Sequence, residues 1–359
     1  MTGILCLEDG QVFRGKIFGY PKITMGEVCF NTSMSGYQEI ITDPSYSGQI
    51  VIMTYPIIGN YGANMVDVES SCPYLAGFVV SEYCRYPSNQ RLTKTLDEYL
   101  KENQIAAIED IDTRALVHHI RKNGEMRAAI APLPVDENLL LDEIKKHPQL
   151  NGRNLAYAVS TKSVYNFNYY KRPKIVVYDF GVKTNILRLI GEISDVIVVP
   201  SDTNPQDVLD MNPDGIVLSN GPGDPAAVDY GIHSIKRLIG RIPILGICLG
   251  HQLLSLALGG KTFRLKYGHH GGNHPVKDVE TGRVSITVQN HCFAVDPESI
   301  VKAGAKISHI NLNDQTLEGF YHKDLNIFSY QFHPEAAPGP IEAQGLIEKF
   351  VRVCLKEKI

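Results

Sequence analysis

The sequence predicts an α/β protein in which a smaller mixed α/β domain precedes a C-terminal, doubly wound, mostly parallel sheet. The length of 359 residues suggests two domains rather than one. After Pro173, continuous apolar strands alternate with amphipathic helices, which is typical of a parallel sheet covered on both faces. Before that point, short strands dominate, with turn residues between them.

The N-terminal domain is predicted to span residues 1–150. Asp9-Gly10, between two apolar segments, predicts a β-hairpin at the start of this domain. Helical spacing follows at 95–102 and 113–123, and Asp112 or Thr113 suits the N-cap of the second helix. Residues 151–173 are polar and rich in Tyr and Asn, so we expect them to link the two domains.

The C-terminal domain is predicted to span residues 174–359. Its apolar strands and amphipathic helices alternate along the chain. The predicted strands are 174–179, 195–200, 215–219 and 242–247, and the predicted helices are 184–190, 232–239 and 252–258. In sheets of this kind the functional groups lie at the carboxyl ends of the strands, so we expect them there.

Composition narrows the class of protein. Hydrophobic residues make up 43% of the chain, and 35 basic residues against 39 acidic ones give a net charge of -4. These values favour a soluble globular protein over a nucleic-acid or membrane-surface binder. The start of the chain does not read as a signal peptide, and no apolar run reaches membrane-spanning length. The 7 cysteines include no Cys-x-x-Cys pair, so we expect a cytoplasmic protein with reduced thiols.

The strongest local signal is Gly-Ile-Cys-Leu-Gly at 246–250, where a buried strand leads directly into a helix. Small residues on both sides let the chain turn sharply and present the Cys248 thiol at the helix N-terminus, where thiolate is favoured. The N–H of Leu249 would then face the oxyanion that forms after attack. A structural role is commoner for free cysteine. We expect it for the cysteines at 6, 29, 72, 84 and 354.

A base for such a nucleophile is offered by His333-Pro334-Glu335. His333 and Glu335 can lie on one side of an extended turn, so that Glu335 holds the imidazole while His333 exchanges protons with Cys248. A lone His-Pro-Glu is weak evidence, because single histidines are more often structural. Together with the cysteine turn it predicts a catalytic triad.

These motifs resemble those of the class I glutamine amidotransferases. The resemblance covers most of residues 174–350, and its motifs lie at 219–225, 246–252 and 333–335. A closer resemblance, to the small subunits of carbamoyl-phosphate synthetase, adds the N-terminal segments 26–39 and 42–46. It also includes Asp-Ile-Asp-Thr-Arg at 110–114 and the Gly/His-rich segment 268–275. It therefore spans nearly the whole chain.

The resemblance implies Cys248 as nucleophile, His333 as base and Glu335 as the partner of that base. It also implies a set of residues that bind the substrate glutamine. They are Ser45, Gly221, Gly223, Leu249, Gln252, Asn290, Cys292 and Phe293. The chemistry of several suits this role: Gly223 can offer a second oxyanion N–H, and the amides of Gln252 and Asn290 suit an amino-acid substrate.

The chain departs from the family pattern at Cys292, where glycine is usual. If that position requires a positive φ, cysteine there would be strained. Three further histidines, His269, His270 and His274, lie among glycines without Cys, Asp or Glu nearby in sequence, so we predict no metal site.

The resemblance also implies partners. Ammonia made from L-glutamine would pass to a large subunit, in a heterodimer or a higher assembly of heterodimers. This chain carries no Gly-x-Gly-x-x-Gly or complete P-loop motif. We therefore predict no cofactor on it, with ATP and its metal ion on the large subunit. Three alternatives stay open: an amidotransferase for another synthase, a non-catalytic scaffold subunit, and a cysteine hydrolase acting on peptides.

Overall fold

The computed structural model describes residues 1–169 and 173–355. The chain forms two compact units. One contains residues 1–151 and 266–271, and the other contains residues 152–265 and 272–359.

The first unit is built on a closed barrel with strand order β1-β2-β8-β6-β4-β3-β9. Its strands are β1 (Thr2–Leu7), β2 (Val12–Gly19), β3 (Thr24–Asn31), β4 (Gln49–Met53), β5 (Ile57–Ile58), β6 (Gly77–Val79), β7 (Glu82–Tyr83), β8 (Ala106–Glu109) and β9 (Arg127–Pro132). Its helices are α1 (Tyr37–Thr42), α2 (Leu96–Glu102), α3 (Thr113–Asn123) and α4 (Glu137–Lys146). The predicted hairpin at Asp9-Gly10 joins β1 to β2, and the helix predicted at 113–123 begins at its predicted N-cap, Asp112.

Strand β1 shows how the barrel is packed. Side chains alternate between the two faces of a strand. Leu5 and Leu7 therefore join the cluster that includes Val28 of β3, while Ile4 and Cys6 join the cluster that includes Leu140 of α4. Both faces of β1 are covered, which explains why its central residues form one continuous apolar run instead of alternating with polar residues.

The second unit contains a 10-stranded sheet with order β10-β12-β11-β13-β14-β19-β18-β17-β15-β16. Its strands are β10 (Tyr165–Asn166), β11 (Lys174–Asp179), β12 (Asp195–Pro200), β13 (Gly215–Leu218), β14 (Ile244–Ile247), β15 (Thr262–Asp278), β16 (Val284–Val295), β17 (Lys306–Asn311), β18 (Leu317–His322) and β19 (Ile327–Tyr330). Its helices are α5 (Ala156–Val159), α6 (Thr184–Gly191), α7 (Pro205–Asp210), α8 (Asp229–Leu238), α9 (Leu249–Leu258), α10 (Pro297–Lys302) and α11 (Gly345–Cys354).

The centre of this sheet is parallel and covered by helices on both faces. Neighbours in the series β12-β11-β13-β14-β19 all pair in parallel. Val176 of β11 packs with Leu253 of α9, while the adjacent Val177 packs with Ile186 of α6. The predicted fold class is therefore confirmed. Antiparallel pairing through β18, β17 and β15 extends the sheet where the sequence indicated only a strand-rich segment.

The segment 151–173, predicted as a linker, contains α5 and β10, and β10 pairs antiparallel with β12. Residues 170–172 of that segment lie outside the described residues. Within 1–169 and 173–355, the helices include none that combines the length and the apolar character needed to cross a membrane.

Candidate active site

Cys248 lies at the junction of β14 and α9, at the carboxyl end of a central parallel strand. Its φ of 53° is in the left-handed range, which costs energy for a residue with a side chain. A Cβ added to Gly246 would lie 2.7 Å from the carbonyl oxygen of Gly250, and one added to Gly250 would lie 2.1 Å from that of Leu218. Glycine at both positions therefore permits the tight turn that the sequence predicted.

The Cys248 thiol is held from two sides. Its side chain is buried, and Sγ donates to the carbonyl oxygen of Asn290 in β16 at 3.4 Å. The backbone N–H of Cys248 donates to the carbonyl oxygen of Tyr330 at 2.9 Å. Because Leu249 is the first residue of α9, its N–H is among the first-turn donors that have no partner within the helix. Such a donor beside the thiol suits an oxyanion.

His333 and Glu335 form a buried pair, with Nδ1 of the imidazole 2.6 Å from Oε1 of the carboxylate. The backbone N–H of His333 donates to the carbonyl oxygen of Val288 at 2.9 Å, which anchors the histidine to β16. Nε2 of His333 is buried, and Cys248 is one of the two residues that interact electrostatically with the ring. Glu335 thus fixes the ring through one nitrogen and leaves the other available for proton exchange.

The electrostatics of this pair favour charge on both partners. Burial lowers the pKa of His333, but Glu335 and Cys248 outweigh burial and raise that pKa well above its ordinary value. Burial raises the pKa of Glu335, but Lys183 and His333 outweigh it and lower that pKa to about 2. Glu335 is therefore a fixed negative charge that stabilises an imidazolium at His333.

Lys183 belongs to this group and was not among the residues predicted from sequence. Its Nζ donates to Oε1 of Glu335 at 2.9 Å and to the carbonyl oxygen of Ala336 at 2.5 Å. The side chain is fully buried, which is rare for lysine without a charged partner. A signal was present, because Lys183 comes soon after β11, at the sheet edge where functional groups collect.

The loop after β13 reaches the same turn. The carbonyl oxygen of Ser219 accepts from the N–H of Gly250 at 3.0 Å, which ties the loop to α9. A Cβ on Gly221 would lie 2.1 Å from the carbonyl oxygen of Phe180, and Gly223 has a φ of 93°. Glycine is therefore required at both positions, and the loop backbone can approach a ligand closely.

Several predicted glutamine contacts lie together on α9 and β16. Nε2 of Gln252 donates to the carbonyl oxygen of Phe293 at 2.7 Å and to Oε1 of Gln331 at 3.0 Å. Asn290, whose carbonyl oxygen accepts from Cys248, lies in the same strand as Phe293. The structure thus brings Cys248, Gln252, Asn290 and Phe293 into one connected region.

Cys292 lies inside β16 and is half-buried. It is not among the residues with positive φ, so the condition under which cysteine would be strained there is not met. Extended backbone of this kind is compatible with cysteine as well as with the glycine that is usual in the family.

Ser45, the remaining predicted contact, lies in the other unit. It is buried in a short 3₁₀ turn, Pro44–Tyr46, and its N–H donates to Oδ1 of Asp43 at 2.9 Å. Its role in binding glutamine stays a prediction.

Comparison with known proteins finds a matching family for each of the two parts of the chain. Residues 5–130 match the carbamoyl-phosphate synthase small chain, CPSase domain, and residues 176–353 match the class-I glutamine amidotransferase family. A protein of Syntrophotalea carbinolica named "Carbamoyl phosphate synthase small chain" is 53% identical over 100% of this chain and 99% of its own. The chain belongs to the carbamoyl phosphate synthase small chain family.

Other members of the family are similar along their whole length. A protein of the same name from Aquifex aeolicus is 50% identical over 98% of this chain and 99% of its own. One from Akkermansia muciniphila is 48% identical over 100% of this chain and 99% of its own. The family resemblance that the motifs indicated is therefore confirmed, whereas the roles of individual residues stay predictions.

Proposed function

We propose that this chain hydrolyses L-glutamine at Cys248 and delivers the ammonia to a large subunit, which makes carbamoyl phosphate from bicarbonate and ATP. The observation that carries the chemistry is the combination of a cysteine on a strained strand–helix turn with the buried His333–Glu335 pair. A nucleophile, a base and an orienting carboxylate are the parts that covalent acyl transfer needs.

The reaction begins when the Cys248 thiolate attacks the carboxamide carbon of glutamine. The carbonyl π electrons move to oxygen, and the N–H groups of Leu249 and Gly223 stabilise the resulting oxyanion. His333, as imidazolium, gives its Nε2 proton to the amide nitrogen, the C–N bond breaks, and ammonia leaves. The product on the enzyme is a γ-glutamyl thioester.

Hydrolysis of the thioester regenerates the enzyme. Neutral His333 removes a proton from water, the hydroxide adds to the thioester carbon, and collapse expels the Cys248 thiolate with release of glutamate. Glu335 keeps the ring oriented through Nδ1 in both half-reactions, and Lys183 keeps Glu335 ionised.

The substrate contacts follow from the same region. We propose that Gly221, Gly223 and Leu249 meet glutamine through their backbone, and that Gln252 and Asn290 meet its polar groups through their amides. The set is completed by Ser45, Cys292 and Phe293.

The proposed assembly is a heterodimer with the large subunit, or several such heterodimers, in the cytoplasm. We assign residues 1–150 chiefly to contact with that subunit, 151–173 to the linker and 174–359 to glutamine hydrolysis. ATP and its metal ion belong to the large subunit in this scheme, and neither nucleic acid nor membrane takes part. The other synthases considered as partners are disfavoured by the N-terminal match at 5–130.

The test compares wild-type chain with Cys248→Ser and with Cys72→Ser, which makes the same atomic change at an exposed thiol. Glutamate release is measured for the isolated chain, and carbamoyl phosphate is measured after addition of the large subunit, ATP and bicarbonate. We expect both activities in wild type and Cys72→Ser, and neither glutamate release nor glutamine-dependent synthesis in Cys248→Ser. Unchanged glutamate release by Cys248→Ser would overturn the mechanism. Cys248-dependent hydrolysis without carbamoyl phosphate would overturn the partner.

A further inference from the structure

A surface cavity of about 600 Å³ lies in the first unit, against one face of α3. We call it the α3 pocket. It is lined from α3 by Arg114, His118 and Arg121 and from the barrel side by Thr54, Pro56 and Ser81. The proposed hydrolysis does not use any of these residues.

Three segments of the first unit are fixed around this pocket. The stretch that contains Pro56 is held by the parallel pairing of β5 with β7 and by the bond from the N–H of Glu82 to the carbonyl oxygen of Pro56, 3.0 Å long. Ser81 is tied to the start of the α3 region, because its carbonyl oxygen accepts from the N–H of Asp110 at 2.9 Å. The pocket is thus part of the folded framework.

The α3 side of the pocket carries three basic residues and, at the N-cap of the helix, one acidic residue, Asp112. Positions 114, 118 and 121 are spaced by four and three residues, so they share one helical face, while Leu116 and Ile120 of the same helix are buried. Within 1–169 and 173–355, Arg114, His118 and Arg121 make no ion pair and no side-chain hydrogen bond. The Arg121 guanidinium lies over the ring of Tyr267, 5.8 Å from its centroid. These arginines keep their N–H donors available for an acidic partner.

Two exposed residues, one aromatic and one apolar, are the sequence neighbours of a residue that lines the pocket. Tyr55 and Ile57 flank Pro56 and are 39% and 42% exposed. Exposed Tyr and Arg with apolar neighbours are typical of protein–protein interfaces and of the residues that dominate their binding energy. A site for a small anion needs the arginines but gives no reason for the exposed Tyr55 and Ile57.

We propose that the α3 pocket receives an acidic segment of the large subunit, whose carboxylates pair with Arg114 and Arg121. This inference rests on the proposed function, because it takes the large subunit as the partner. It gives the Asp-Ile-Asp-Thr-Arg motif at 110–114 a role: the motif leads into α3 and ends at the first basic residue of the pocket. Complementary charge of this kind speeds association and fixes orientation.

The test measures binding of the full-length chain to the large subunit from the same organism, at low and at raised salt. The variant is Arg114→Glu combined with Arg121→Glu. Lys122→Glu is the control, because it reverses one charge at an exposed position of the same helix, outside the pocket. We expect the double variant to bind at least about 100-fold more weakly, from roughly tenfold for each reversed charge. Lys122→Glu should bind within about twofold of wild type.

Two further measurements separate the outcomes. Glutamate release by the free double variant should equal that of wild type, which shows that the variant is folded. For the variant that combines Arg114→Gln with Arg121→Gln, the affinity for the large subunit should fall less steeply with rising salt than the affinity of wild type, because fewer ion pairs are screened. If wild type binds and makes carbamoyl phosphate while the double variant binds equally well, the inference is wrong. If wild type itself does not bind, the proposed partner is wrong.

Discussion

In the part of the chain that the structure describes, two helices begin after a residue with positive φ, and a different type of residue occupies that position in each. Gly36 precedes α1 with a φ of 81°, and Cys248 precedes α9 with a φ of 53°. Glycine adopts this conformation without steric cost, whereas a residue with a Cβ pays about 1–3 kcal/mol. The chain keeps the costly residue at the turn that carries the thiol.

The polar groups around the two turns differ in the same way. Near α1, the Tyr61 hydroxyl accepts from the N–H groups of Gly36 and Tyr37 at 2.8 and 2.9 Å. The Gln38 amide bonds both backbone groups of Asn64, at 2.5 and 2.9 Å. These contacts join α1 to the loop after β5, and they give the end of the segment 26–39 a structural role.

Near α9, the buried side chains of His333 and Glu335 pair with each other at 2.6 Å. Buried pairs of titratable groups are costly to keep, and they cluster at functional sites. Strain at Cys248 and a buried titratable pair, rather than a family motif alone, therefore mark the candidate reactive region of this chain.

The largest effect is expected from removing the base. His333→Asn should lower the rate of glutamate release by about 10²–10⁴-fold, because asparagine cannot exchange protons near neutral pH. The measurement is steady-state glutaminase activity. His233→Asn, at an exposed position on α8, is the control and should leave the rate unchanged. Equal rates for His333→Asn and wild type would place His333 outside the chemistry.

A smaller effect is expected from Lys183→Met. Loss of the ammonium leaves the buried Glu335 carboxylate short of one partner, which should lower the free energy of unfolding by about 3–5 kcal/mol at pH 7. The pKa of Glu335 lies at about 2 in the folded protein, below its ordinary 4.5. Its pairing therefore stabilises the fold fully above pH 4.5 and is lost as the pH falls toward 2.

Urea denaturation of wild type and Lys183→Met at several pH values checks this. The difference in the free energy of unfolding between the two proteins should be largest near neutral pH and should shrink below pH 4.5. Lys236→Met, at an exposed position of α8, should change the free energy of unfolding by less than about 0.5 kcal/mol. A difference that does not depend on pH would mean that Lys183 stabilises the fold by packing alone.

The smallest effect concerns the two turns directly. At position 248, glycine should be more stable than alanine by about 1 kcal/mol, and Gly36→Ala should lose about 1 kcal/mol, because alanine pays for positive φ. At Glu143, an exposed position of α4, the opposite order is expected, with alanine more stable than glycine by roughly 0.5–1 kcal/mol. Urea denaturation measures the free energy of unfolding of the glycine and alanine forms at positions 248, 36 and 143. If alanine is more stable than glycine at position 248, the backbone there is not strained.

Much of the fold was predictable because many of its helices and strands are determined by patterns of a few neighbouring residues. The strand at 174–179 and the helix at 113–123 have the predicted bounds, since continuous apolar runs, helical spacing and an Asp N-cap are signals within a few residues. Closure of the first unit into a barrel was not predicted. It depends on which strands pair, and β1 meets β9 across more than a hundred residues of chain.

In the candidate site, local patterns predicted the turn at Cys248 and the pairing of His333 with Glu335, while the roles of these residues stay predictions. The signal for Cys248 was the glycine two residues away on each side, and the signal for His333 was Glu335, two residues further along the chain. Lys183 gave only the weaker signal of its position soon after β11, because its partner Glu335 lies far along the chain and only the folded sheet brings the two together. The carbonyl contact from Asn290 to the thiol is equally invisible in sequence, since any residue has a carbonyl.

The central claim is that Cys248 forms a covalent bond to the substrate. Wild-type chain should be mixed rapidly with isotopically labelled glutamine, quenched in acid over a pre-steady-state time course, digested and examined by mass spectrometry. The account predicts a labelled γ-glutamyl thioester on Cys248, absent from Cys248→Ser and present in Cys72→Ser. Release of labelled glutamate with no label on Cys248 at any time, or with label on another side chain, would contradict it.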